Sequence, residues 1–435
     1  MSHDSTIEYQ WIDGVERLEL YETGGDHPVV IDDVLQDRYR IVDKLGFGGY
    51  STIWLARDEL DNRYVAVKIG ISSAPLPRRE LEILKALSSP RSSSQDAHPP
   101  DKTEGASCLP TLLDAFDVRG PNGTHPCYTL PPAQGNLWEA SYSHLFPIQV
   151  ARALAAKLAT AVAVVHSRGF VHGDIHLRNV LVKLPSTFDK LSVSEFREEY
   201  DEPETVPIAR VDEKPLTPNV PPYAVLPLYL GKEAEVFTLA DAHGLILSDF
   251  GEAFSPATEQ RLGKECNIPL PRKAPETLFE PNSPVSYPSD VWSLGYAIWE
   301  ILGMKYIFSE SEPPDEVIAQ QIDVLGSSNF PDSGREQWER LGEEESGSET
   351  VIPRRPTEDR EAWPSLEDAF EEFVQEERRN REEAGTFDER ETRAILELMR
   401  GMLKFRPEER LTVDEVLKSD WMVNWALPQL EVEPE

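Results

Sequence analysis

Apolar and polar positions alternate in a strand-like way over residues 39–69. Tyr39-Arg40-Ile41-Val42 leads into the glycine-broken stretch Leu45-Gly46-Phe47-Gly48-Gly49-Tyr50-Ser51, and then into Thr52-Ile53-Trp54-Leu55-Ala56. After an Asp61-Asn62 turn comes Tyr64-Val65-Ala66-Val67-Lys68-Ile69. β-Branched and aromatic residues with turn punctuation predict a hairpin and a third strand. The period then changes. Pro77 suits the first turn of a helix, and Glu80, Ile83, Leu84 and Leu87 fall on one face of it.

Residues 88–109, rich in Ser, Pro and Asp, read as a loop. The apolar pattern resumes at 112–118 and 127–130 around the turn Gly120-Pro121-Asn122-Gly123. Asn122-Gly123-Thr124 is also a glycosylation sequon, read as coincidence because no secretion signal precedes it. Pro147 opens a long helix to about Arg168, with Val150, Leu154, Leu158, Ala161, Val162 and Val165 as its buried face and Gly169 as its stop. Ser289 to Leu302 is apolar nearly all round and predicts a buried helix. Two stretches read as insertions. Residues 184–245 carry proline clusters and little helical periodicity. Residues 309–390 are dominated by acid and by Glu/Arg mixtures such as Glu343-Glu344-Glu345 and Glu376-Glu377-Arg378-Arg379, with Trp363 and Phe370 to Val374 able to anchor a helix.

Composition narrows the class. A chain of 435 residues has room for two packed lobes and insertions. No apolar run reads as long enough to cross a bilayer, and the N-terminus has no apolar signal stretch. Cys108, Cys127 and Cys266 are too widely spaced for a metal signature or a disulfide framework, so a reducing compartment is expected. The formal net charge is −35. A field of that sign repels nucleic acid and anionic membrane and attracts basic partners, or else serves solubility alone.

Three segments carry chemistry. Gly46, Gly48 and Gly49 sit between two strands, where backbone N–H groups can approach phosphate oxygens without an intervening Cβ. Lys68 follows on the next strand among apolar neighbours, where a lone ammonium is costly. A phosphate and Glu80 supply the counter-charges, and Glu82 falls on the other side of the helix. The alternative is a surface lysine at a strand end. His172-Gly173-Asp174-Ile175-His176-Leu177-Arg178-Asn179 precedes the apolar strand Val180-Leu181-Val182. An Asp and an Asn five residues apart on a loop can face one cleft, Asp174 to orient a hydroxyl and accept its proton, Asn179 to hold a metal. Leu245-Ile246-Leu247-Ser248-Asp249-Phe250-Gly251 adds a carboxylate at a strand end, suited to Mg²⁺.

With Ala274-Pro275-Glu276, Asp290-Val291-Trp292-Ser293-Leu294-Gly295 and Arg410 following in order, the chain resembles eukaryotic protein kinases over roughly residues 37–425. It is most similar to the SR-protein kinases, in a divergent fungal branch. Tyr21-Glu22-Thr23-Gly24-Gly25, the glycine-rich stretch with Ser51 at the usual third glycine, Asn122-Gly123-Thr124-His125 and the spacer before Asp249 carry that likeness. The resemblance implies an α+β, two-lobed protein-kinase fold: a small antiparallel-sheet N-lobe with one helix and a larger, mainly helical C-lobe with insertions. The expected division is an extension over 1–36, an N-lobe over 37–132, a C-lobe over 133–425 that includes both inserts, and a tail over 426–435. It implies ATP and Mg²⁺ as cofactors. Leu45, Gly46, Phe47, Gly48, Gly49, Tyr50, Ser51, Thr52 and Ile53 would cover ATP. Lys68 would contact its phosphates, Glu80 would hold Lys68, and the Ala133 N–H would meet adenine beyond Leu130. Asp174 would be the catalytic base, Asn179 and Asp249 the metal ligands, and Glu276 and Arg410 a buried ion pair.

Two positions depart from the family. Gly173 stands where an arginine commonly reads a phosphorylated activation segment, so a constitutively arranged site is expected. His176 replaces the lysine near the γ-phosphate. A neutral imidazole stabilises less charge there, so slow turnover rising mildly toward pH 6 is expected, unless His176 only packs or hydrogen-bonds. The expected reaction is phosphorylation of Ser or Thr in basic Arg/Ser-rich proteins such as splicing factors, by a monomer in the cytoplasm, the nucleus or both, with no direct binding of nucleic acid or membrane. The alternatives are a catalytically weak pseudokinase scaffold and a small-molecule phosphotransferase of the aminoglycoside or choline type.

Overall fold

The computed structural model describes residues 7–88, 108–185, 187–331 and 360–432. Most of the loop expected over 88–109, and Glu343-Glu344-Glu345, lie outside them. The chain divides into two compact units.

The first unit is built on a six-stranded antiparallel sheet. Its strands are β1 (Val34–Leu35), β2 (Tyr39–Gly48), β3 (Ser51–Asp58), β4 (Arg63–Gly70), β5 (Asp114–Gly120) and β6 (Gly123–Leu130), in the order β1-β2-β3-β4-β6-β5. Helix α1 spans Leu76–Ser88. Alternation along the strands sorts side chains to two faces. Ile41, Trp54, Ala56, Val65 and Val67 enter one core, while Val42, Leu55 and Tyr64 enter another. Residues 184–245, read as an insertion in the larger lobe, divide differently. Lys183–Leu230 belongs to the first unit. Phe188 and Phe196 of that stretch cover Val42, Leu55 and Tyr64. Phe196 lies on an eight-residue helix, Val193–Tyr200, opened by a capping box between Ser192 and Glu195. The N-terminal residues pack here too, with Tyr9, Leu18 and Tyr21 against Ile208, Val220 and Ala224. Asn122 is buried, and its amide donates to Asp26 O at 2.6 Å and Asn219 O at 2.8 Å. Its side chain is therefore consumed inside the fold, which agrees with reading the sequon as coincidence.

The second unit is mainly helical. Helix α2 (Ile148–Ser167) follows Pro147 and ends before Gly169, whose φ of +82° stops it. Contrary to the sequence reading, this helix is long and apolar enough to span a bilayer by length and composition. Arg152 and Lys157 interrupt the run when the chain is read linearly. Two thirds of its apolar window is buried inside the protein, as a core helix requires. Strands β7 (Val180–Lys183) and β8 (Leu245–Leu247) pair antiparallel, with Val180 opposite Leu247. Helix α3 (Tyr287–Leu302) is buried from Ser289 to its end. Two further helices, α4 (Pro314–Leu325) and α5 (Glu389–Met402), bracket the acidic stretch, and α4 itself arises within it. Arg378, set in one of the Glu/Arg mixtures of that stretch, is fully buried. Its guanidinium donates to the backbone carbonyls of Leu302 (2.7 Å), Ala384 (2.9 Å), Phe146 and Gly385 (both 3.3 Å). Burial, with Arg152 nearby, pushes its pKa down to about 9.

Candidate active site

In the first unit the glycine-rich segment forms the tip of the β2–β3 hairpin. A Cβ added to Gly46, Gly48 or Gly49 would meet nothing within 4 Å, and none of the three has a positive φ. Neither packing nor backbone conformation therefore calls for glycine. What the missing side chains provide is open backbone that an outside group can approach closely. Phe47 and Tyr50 are exposed, whereas Ser51 and Thr52 are buried, Thr52 Oγ1 accepting from Trp54 Nε1 at 3.0 Å. Leu45 and Ile53 are half-buried.

Lys68 lies on β4 directly opposite Ile53 and, on the other side, Tyr128. Its ammonium donates to Glu80 Oε2 at 2.7 Å and Oε1 at 3.0 Å. Glu80 is buried on α1, and Glu82 pairs instead with Lys85 on the exposed side at 3.0 Å. Helical spacing decides this choice, since residues 80 and 82 project about 200° apart. Ala133 is half-buried and begins a short strand, Ala133–Asn136.

In the second unit the segment from His172 to Asn179 is fixed from beneath by Asp290 on α3. Asp290 accepts from His172 N at 2.7 Å and Gly173 N at 2.9 Å, and its Oδ2 lies 2.9 Å from His166 Nε2. Burial pushes the Asp290 pKa up, but the bond to His166, the two histidine charges and the backbone donor outweigh it, and the carboxyl sits below its usual range. The backbone then places Asp174, His176 and Asn179 together. Asn179 Nδ2 donates to Asp174 O at 2.9 Å and Asp174 Oδ2 at 3.0 Å. His176 Nε2 lies 3.3 Å from both Asp174 Oδ1 and Asn179 Nδ2. Asp174 Oδ1 is buried and accepts no hydrogen bond of good geometry.

Asp249 comes to the same place through strand pairing. Val180 opposite Leu247 brings the residues flanking those strand ends side by side. Ser248 fastens them, its N–H and Oγ both donating to Asn179 O, at 2.8 and 2.9 Å. Asp249 is exposed and has φ +60°, an uncommon backbone conformation for a side-chain-bearing residue. Phe250 is buried against the His172 ring, centroids 4.8 Å apart. Each unit thus holds its own group: Lys68 with Glu80 and the glycines in the first, Asp174, His176, Asn179 and Asp249 in the second.

The predicted Glu276–Arg410 pair forms, bidentate at 2.8 and 2.5 Å. Arg410 also donates to Lys404 O and Pro288 O and stacks over Trp292, 5.2 Å from the ring centre. Gly173 has a stereochemical reason. Its φ is +77°, and a Cβ there would stand 2.9 Å from Glu252 O. The Glu252 carboxylate is taken by Arg261 Nη1 at 2.9 Å and Asn267 Nδ2 at 2.9 Å. Arg261 is a buried arginine inside the segment between Asp249 and Glu276 that the sequence reading missed. No local pattern marks it, because its partner is nine positions away in irregular chain.

The protein kinase domain family matches residues 232–422. An Aspergillus fumigatus serine/threonine protein kinase is 28% identical over 94% of this chain and 90% of its own length. The Caenorhabditis elegans kinase spk-1 is 37% identical over 38% of this chain and 16% of its own length. The Saccharomyces cerevisiae kinase SKY1 is 31% identical over 39% of this chain and 23% of its own length. Among solved structures, the kinase domain PF14_0431 aligns with a TM-score of 0.59 at 15% identity, covering 91% of this chain and 98% of that one, a likeness of fold. Residues 232–422 thus match a protein kinase domain, the fold is that of a kinase domain, and the relatives are serine/threonine protein kinases, a class that uses ATP. Within that class it is SR-protein-kinase-like.

Proposed function

We propose that this kinase moves the γ-phosphate of ATP onto Ser or Thr hydroxyls of basic, Arg/Ser-rich proteins, with Asp174 as the base. The observation that carries the reading is the buried Asp174 Oδ1, an acceptor without a well-placed donor. A carboxylate oxygen held away from water, with its partner oxygen fixed by Asn179, is placed to orient a hydroxyl and accept its proton. The hydroxyl oxygen then attacks the γ-phosphorus, the bond to the bridging oxygen breaks, and ADP leaves with that electron pair. Gly46 to Ile53 would lie over the phosphates with their open backbone. Lys68, its charge already shared with Glu80, would meet the α- and β-phosphates. The Ala133 N–H would meet adenine.

The donor set fits Mg²⁺. Asp249 and the Asn179 amide oxygen are hard donors, and the Asn179 nitrogen is already spent on Asp174. Bound there, Mg²⁺ would offset the charge on the transferring phosphate oxygens. His176 would stand beside Asp174 in place of a permanent cation. The net charge of −35 favours basic substrates, and the same reading puts the protein in the cytoplasm, the nucleus or both.

The test is phosphate transfer from labelled Mg·ATP to an Arg/Ser-repeat peptide, with an aminoglycoside as competing acceptor and Asp174→Ala as control. Transfer to the peptide, falling about a hundredfold or more in Asp174→Ala while ATP binding persists, is the expected result. Transfer to the small molecule alone, or a variant as active as wild type, overturns it.

A further inference from the structure

Among the described residues of the first unit, a buried charge group at the base of the hairpin has no part in covering nucleotide. Lys44 immediately precedes Leu45 and Gly46, and its side chain is completely buried. It lies between two irregularities of the β2–β3 register, opposite Trp54. Its ammonium pairs with Glu16 of the N-terminal segment, itself 4% exposed. Glu16 Oε1 also accepts from Tyr21 Oη at 2.5 Å, so both carboxylate oxygens are used. The Lys44 ammonium stands 5.4 Å from the ring centres of both Phe47 and Trp54. Its backbone is held as well, the carbonyl accepting from Leu228 N at 2.7 Å.

A buried ammonium that loses its directly bonded anion is costly to keep, so Glu16 holds this lysine in place, with the buried Asp26 carboxyl as a further charge nearby. The base of the glycine-rich hairpin is therefore pinned on one side by the N-terminal segment and on the other by the returning chain near Leu228. The glycines have no side chains to pack and open space around them, so their position follows from their pairing with β3 and from what holds the base of the hairpin.

We propose that Glu16 and Tyr21 are positioning residues for nucleotide binding: through Lys44 they fix the base of the glycine-rich hairpin, and with it the backbone of residues 45–53. The inference rests on reading that hairpin as the nucleotide cover. A hairpin braced in this way loses less freedom when nucleotide binds. The brace acts on ATP binding and leaves Asp174, Asn179 and Asp249 of the second unit as they are.

Two variants of the full chain test it. Glu16→Gln removes the carboxylate bonded to the lysine and leaves Asp26 as a nearby charge without a direct bond, whereas Glu16→Gln with Lys44→Met removes both charges of the pair and spares the fold the buried cation. Amide hydrogen exchange of residues 45–53 is followed without nucleotide, with α1 as internal reference, and KM is measured separately for ATP and for a basic peptide. Faster exchange at 45–53 in both variants, with the KM for ATP raised about fivefold or more and the KM for peptide unchanged, is the expected outcome. If exchange at 45–53 in the double variant matches wild type, the brace is overturned whether or not ATP binds. If exchange quickens while the KM for ATP stays at its wild-type value, the positioning role is overturned. Loss of the nucleotide-cover reading itself shows separately, as failure of the wild-type protein to bind Mg·ATP.

Discussion

Asp26 is 2% exposed and shares its surroundings with Glu16 and Lys44. Burial first, then repulsion from Glu16, raises its pKa to about 7 against the pull of Lys44. Two carboxylates and one ammonium cannot all be ionised there cheaply, and Glu16 holds the direct bond to Lys44. The folded pKa lies above that of the unfolded chain, so the favourable state is fully present below about pH 4 and is lost as pH rises toward 7. Asp26→Asn mimics the protonated acid at every pH. Its Tm should match wild type near about pH 4 and exceed it by a few degrees near about pH 8. An equal offset at both pH values would show that Asp26 does not titrate between the folded and unfolded states. The Lys68–Glu80 pair was legible in the sequence because one strand and the next helix leave few candidates, and helical spacing rejects Glu82. Glu16, Lys44 and Asp26 were not. Their contact spans 28 positions and depends on the N-terminal segment folding back, which no local pattern announces.

The same division runs through the elements. The hairpin, β4, α1, α2 and α3 follow from period-two and helical patterns within short windows. The motifs on them therefore lie on the kinds of element expected for them, each within its own unit. Helix Val193–Tyr200 was missed even though Ser192 and Glu195 spell a capping box. The proline-rich flanks hid a stretch with one buried anchor, Phe196. The burial of Arg378 was not legible because Glu/Arg mixtures normally face water, and only the assembled fold offers its backbone carbonyls. Arg410 was legible as a partner of Glu276 through its motif. Its guanidinium carries the bidentate bond and three backbone bonds at the junction of α3 and the segment ending at Glu276. Arg410→Ala should cost roughly 3–5 kcal/mol of stability, read as a fall in Tm, while ATP affinity per folded molecule stays near wild type. An unchanged Tm would show that the pair contributes nothing to the second unit.

At the scale of the molecule, the family match over residues 232–422 takes in Asp249, Glu276 and Arg410 but not Lys68, Asp174 or Asn179. Those earlier groups were found from short motifs in order, and their geometry within each unit is what gives them a chemical role. The charge of −35 belongs to no single motif and acts as a field. Exposed charges separated by more than about 8–10 Å are largely screened at about 0.1–0.15 M salt. An acidic surface that gathers arginine-rich substrate should therefore do so mainly at low ionic strength. ATP, anionic itself, gains nothing from that field and depends on the close contacts of Lys68 and the glycine backbone. Raising NaCl from about 50 to about 300 mM should raise the KM for an Arg/Ser-repeat peptide several-fold, while the KM for ATP holds or falls. A peptide KM indifferent to salt would mean that the acidity serves solubility alone, and substrate choice would then have to come from short-range contacts on the second unit.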